Sequence, residues 1–125
     1  MNPSIVKRCL VGAVLAIAAT LPGFQQVHTS VEGLISNVLR VERALERCVK
    51  QQPPQKVYDA AVSFAFNVGT GNACSSTLVK LLNQRRWADA CRQLPRWVYV
   101  KGVFNQGLDN RRVREMAWCL KGAGR

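Results

Sequence analysis

Residues Gln55 to Val68 contain the stretch YDAAVSFAF, almost continuously apolar, with Pro53-Pro54 before it and Gly69 and Gly71 after it. Proline ends whatever helix precedes it, and glycine supplies the left-handed residue that stops a helix. The segment therefore predicts a helix over 55–68. A helix apolar on every side has no face to offer water, so it belongs at the centre of its domain. A chain of 125 residues has room for one such core and one domain.

The covering layer is read from amphipathic spacing. Leu34, Val38, Val41, Leu45 and Cys48 recur at helical intervals, with Thr29 or Ser30 as caps and Arg40, Arg43, Arg47 and Lys50 on other faces. Ser75 or Ser76 caps a helix carrying Leu78, Val79, Leu81 and Leu82, and a short helix covers Trp87 to Leu94 before Pro95. A last helix, capped by Asp109 or Asn110, turns Val113, Met116, Ala117 and Leu120 inward and Arg111, Arg112, Arg114 and Glu115 mostly outward. Strand alternation is suggested only at Trp97 to Val100. The fold class is all-α.

Lys7 and Arg8 precede the uncharged run CLVGAVLAIAATLPGF, Cys9 to Phe24. A basic flank followed by an apolar stretch is the pattern of an export signal. The run is shorter than the roughly 20 residues that span a bilayer comfortably, so it reads as a cleaved signal or a weakly held anchor. Residues 1–24 are thus a signal peptide or signal-anchor helix, and 25–125 the folded domain. Export to an oxidising compartment suits five cysteines that form no Cys-x-x-Cys pair. At least one disulfide is expected among Cys48, Cys74, Cys91 and Cys119, whose three possible connectivities stay open, with Cys9 free. The net charge is +11, and +9 without Lys7 and Arg8. Such a surplus favours an anionic partner at the surface. The export signal argues against nucleic acid as that partner.

Catalytic signatures are sparse. His28, the single histidine, has no acid or nucleophile beside it, and Gly69-Thr70-Gly71 lacks the strand and lysine of a phosphate loop. Neither a metal site nor a cofactor is expected. Glu42 and Glu46 stand one helical turn apart, but Arg43, Arg47 and Lys50 beside them make surface ion pairs the better reading.

The stretch from Ala61 to Trp97, AVSFAFNVGTGNACSSTLVKLLNQRRWADACRQLPRW, followed by GLDNRRVREMAWCL from Gly107 to Leu120, closely resembles the C-terminal lobe of phage-type lysozymes, glycoside hydrolase family 24. The N-terminal run resembles the signal-anchor-release segment of one endolysin subgroup. The resemblance implies a lysozyme-like helical lobe behind an N-terminal apolar signal-anchor helix. It also implies hydrolysis of peptidoglycan glycosidic bonds in host lysis, at the inner membrane or in the periplasm. By the same resemblance, Phe66, Asn67 and Gln93 fall at substrate-binding positions. An aromatic ring can stack on a sugar face, and an amide can hydrogen-bond an N-acetyl group.

Glu32-Gly33 is the one Glu-Gly pair, and Glu32 is the candidate catalytic acid. In the family, that pair opens a hairpin region rich in Gly, Trp and Thr. Here LISNVLRVERALERC follows directly, and Val41 stands where an acidic or thiol group belongs. Glycosidic cleavage needs a carboxyl kept protonated by its surroundings and a second group that places water or stabilises the oxocarbenium ion. Two readings of Glu32 follow: the acid itself, or a linker residue upstream of a lost catalytic hairpin. The functional expectation is an impaired muramidase, with a non-enzymatic wall-binding or lysis-modulating protein as the alternative. Its partners are peptidoglycan, the inner membrane through residues 1–24, and a second copy through the apolar surface a missing lobe would leave.

Overall fold

A computed structural model describes residues 31–124, of which 31, 32 and 34 are described as backbone only. The expected signal-anchor segment, Cys9 and His28 lie outside the described residues. Among the described residues, six α-helices follow one another: α1 Val31–Cys48, α2 Gln55–Val68, α3 Thr70–Cys74, α4 Thr77–Asn83, α5 Trp87–Cys91 and α6 Gln106–Gly122. A 3-10 turn, Leu94–Arg96, and the strands β1 Tyr99–Val100 and β2 Val103–Phe104 join α5 to α6. Among the described residues, no helix is long and apolar enough to cross a membrane.

The central helix is where the sequence puts it. All residues from Val57 to Ala65 in α2 are buried, and α2 packs most extensively against α6, then against α1 and α3. Gly69 stops it at φ 95°, a backbone region that costs other residues strain. Around α2 the core is completed by Val38 and Leu45 of α1, Leu78, Val79 and Leu82 of α4, and Ala90, Cys91 and Leu94. Ser76 caps α4, its hydroxyl accepting from the Val79 amide at 3.2 Å.

The cysteines pair Cys48 with Cys74 and Cys91 with Cys119. One bond ties the end of α1 to α3, and the other ties α5 to α6. Closing loops with sequence separations of 26 and 28 stabilises a fold by roughly 3–4 kcal/mol per bond in the chain-entropy account.

Several expectations are corrected. The connection after Val98 is an antiparallel hairpin pairing Tyr99 with Phe104 and Val100 with Val103. Lys101 and Gly102 turn it with φ of 50° and 80°, the double positive φ that matches strand twist in a two-residue loop. A further short helix, α3, follows directly on Gly69. The predicted helix over Trp87–Leu94 breaks into α5 and the 3-10 turn. Glu42 is buried, because it shares the inward stripe of α1 with Val38 and Leu45, whereas Glu46 is exposed. The surface position expected of both glutamates therefore holds for Glu46 and not for Glu42.

The largest correction concerns α6. Its cap is Asn105, whose side chain accepts from the Leu108 amide at 2.9 Å, so the helix begins before Asp109. Arg111, Arg112 and Glu115 are fully buried while Val113 and Ala117 are exposed. Met116 and Leu120 do pack against the core and Arg114 is exposed, as expected. The face carrying 111, 112, 115 and 119 meets α2, and its charges are tolerated there because α2 supplies polar partners.

Candidate functional site

Two of those partners, Ser63 and Asn67, stand one turn apart near the C-terminal end of α2. The Ser63 hydroxyl donates to Glu115 Oε2 at 2.6 Å. Arg111 donates through Nε to the same oxygen at 3.0 Å and through Nη2 to the Ser63 carbonyl at 2.9 Å. Arg112 donates through Nη1 to Glu115 Oε1, through Nη2 to Asn67 Oδ1, and through Nε to the Trp97 carbonyl at 3.0 Å. Its guanidinium also lies 5.3 Å from the centre of the Phe64 ring, and Phe64 meets Trp97 edge to face at 5.1 Å. Burial pulls the Arg111 guanidinium below its ordinary value, and Glu115 opposes that pull. Arginine stays charged even so. Two buried cations therefore share one buried carboxylate.

Beyond Arg112 opens a groove of about 340 Å³ whose walls include Asn67, Asn72, Trp97, Tyr99, Leu108 and Arg112. The amide side comes from the end of α2 and the start of α3, where Asn72 is anchored by donating to the Val68 carbonyl at 2.7 Å. The aromatic side comes from Trp97 and from Tyr99 in β1, which is 61% exposed and paired edge to face with Phe104. Among the described residues, none of the lining side chains is a carboxylate. Aromatic rings and amides lining one open groove suit a ring with a polar rim and one flat apolar face, which is a sugar's profile.

Of the residues singled out from sequence, Asn67 lies in the groove wall. Phe66 is half-buried and packs against the core, and Gln93 is half-buried just before the 3-10 turn. Neither is among the groove's lining side chains. Glu32 falls in the first turn of α1, and the backbone from there to Cys48 is one uninterrupted helix with no hairpin in it. The residues missed were Trp97, Tyr99 and the Arg111, Arg112, Glu115 cluster. Ser63 and Asn67 were the available signal, since polar side chains inside an apolar helix call for buried partners.

The family model for phage lysozyme matches residues 19–115, and the chain belongs to that family. It is 35% identical over 103 residues to the SAR-endolysin of bacteriophage PS119, covering 82% of this chain and 62% of that protein. The chain thus spans less than two thirds of that relative's length. The active form of the P1 phage endolysin Lyz superimposes with a TM-score of 0.65 at 27% identity, over 73% of this chain and 58% of that one. The muramidase domain of SpmX from Asticaccaulis excentricus shares the fold, with a TM-score of 0.74 at 21% identity over 92% and 98% of the two chains.

Proposed function

We propose that this chain is directed at peptidoglycan, as phage lysozymes are, and that its helical lobe holds the glycan while its hydrolytic step is impaired. The supporting observation is the groove itself: Asn67 and Asn72 offer amides to N-acetyl groups, and Trp97 and Tyr99 offer rings to sugar faces. Phe66 and Gln93 extend that role by resemblance. Glu32 is the proposed proton donor, and the continuous helix that follows it leaves no hairpin to keep its carboxyl protonated or to supply a partner group. Residues 1–24 act as a signal peptide or weak anchor that delivers the chain to the inner membrane and periplasm, in line with the SAR-endolysin relatives. Residues 25–125 form the lobe, without the catalytic hairpin. The apolar surface exposed at Tyr99, Val100, Val103 and Phe104 supports self-association.

The test is release of reducing ends from purified sacculi by the full chain and by Glu32→Gln, alongside retention of the chain on those sacculi. Retention with slow release that Glu32→Gln abolishes is the expected result. Absence of retention would overturn the proposal. Retention with no release from either chain would establish the non-enzymatic wall binder.

A further inference from the structure

We infer that Arg112 is a positioning residue for the groove, holding the Asn67 amide in the one orientation that presents a donor to the ligand. The inference rests on the saccharide reading of the groove and adds the polarity of its recognition. Arginine carries donors and no acceptor, so the atom that Asn67 turns toward Arg112 has to be Oδ1. With Oδ1 engaged, the Nδ2 group of this exposed residue is the donor left for a partner in the groove, and it suits an acceptor such as the carbonyl oxygen of an acetamido group.

Arg112 can enforce this because it has little freedom of its own. Glu115 takes Nη1, the Trp97 carbonyl takes Nε at 3.0 Å, and the Phe64 ring lies beside the guanidinium. Glu115 is fixed in turn by Ser63 and Arg111. The same guanidinium therefore ties together Asn67, from the end of α2, and the main chain of Trp97. These are two parts of the groove wall, 30 residues apart in sequence. A lysine offers a point charge without the planar fork and reaches only part of this set.

The experiment titrates the full chain with the N-acetylglucosamine tetramer, followed by Trp fluorescence. Asn67→Asp keeps an acceptor for Arg112 but replaces the outward donor with an acceptor. It is expected to melt no lower than the unaltered chain yet bind at least about tenfold more weakly, the scale of one lost hydrogen bond to a polar ligand. Arg112→Lys is expected to weaken binding by a similar factor, and the double variant by little more than either single one, because both remove the same contact. Val113→Thr, exposed on α6, is the control and leaves affinity unchanged. Binding by Asn67→Asp or a folded Arg112→Lys within about twofold of the unaltered chain overturns the inference, as do single effects that multiply in the double variant. Failure of the unaltered chain to bind the tetramer overturns the saccharide reading instead. Positioning is then decided by the Asn67 side-chain amide resonances, which move in Arg112→Lys if the inference holds and stay in place if it fails.

Discussion

At one end of the interface between α2 and α6, two guanidiniums share the Glu115 carboxylate beside an open groove. At the other end the buried charged group belongs to α2 instead of α6. Asp59 is fully buried and accepts from Gln55 at 2.9 Å and, at a longer 3.4 Å, from the Trp118 indole. Around that end, the Lys56 and Lys121 ammoniums lie 5.5 and 5.8 Å from the centre of the Trp118 ring. Both ends lock the same pair of helices, but only the first places its polar atoms in the groove wall. Polar groups buried between helices thus do two jobs in this fold: they fix helix register at both ends, and at one end they also hold ligand-facing side chains.

The contrast is tested most severely at Glu115. Glu115→Ala leaves two buried guanidiniums without their carboxylate, and a loss of roughly 3–5 kcal/mol in urea unfolding is expected. A loss under about 1 kcal/mol would mean that water or rearrangement satisfies both arginines.

At the opposite end, the last turn of α6 approaches the first turn of α2 closely. A Cβ at Gly122 would lie 2.6 Å from Lys56 Cβ and 3.0 Å from the Val57 nitrogen. Gly122→Ala is therefore expected to cost about 1–3 kcal/mol through overpacking. Retention on sacculi, measured at a temperature where the variant is folded, is expected to be unchanged. Weakened retention there would show that the two ends are not independent.

Asp59→Asn keeps an acceptor for the indole while removing the buried charge, and a shift of about 1 kcal/mol in either direction is expected from thermal melts. A change of groove affinity in this variant would again couple the two ends.

The smallest effect on stability is expected at Tyr99→Ala, because the side chain is 61% exposed. Its unfolding free energy is expected to move by no more than about 0.5 kcal/mol. Its binding of the N-acetylglucosamine tetramer is expected to fall severalfold, and unchanged binding would remove Tyr99 from the groove's working surface.

What was legible in the sequence follows from how local each signal is. The span of α2 is written in Pro53-Pro54 and Gly69, the cap of α4 in Ser76, and the inward faces of α1 and α4 in their apolar spacing. These depend on backbone preferences acting over a few residues. The resemblance of the Ala61–Trp97 and Gly107–Leu120 stretches to phage lysozymes was likewise present in residue order alone, and the family match agrees with it. The α6 face failed the same kind of reading. Hydrophobic periodicity assigns arginine and glutamate to water, and it has no means of seeing that Ser63 and Asn67 wait across the interface.

The sequence by itself therefore determined the helices, the central position of α2, a disulfide-bearing lobe and the family. Tertiary structure alone decided which cysteines pair, that Arg111, Arg112 and Glu115 are buried, and that Asn67 meets Trp97 and Tyr99 around one groove. The reason is physical. Burial of a charge is decided by its partners, and here Arg112 finds them at Asn67, 45 residues away, and at Trp97, 15 residues away, beyond the reach of any local pattern.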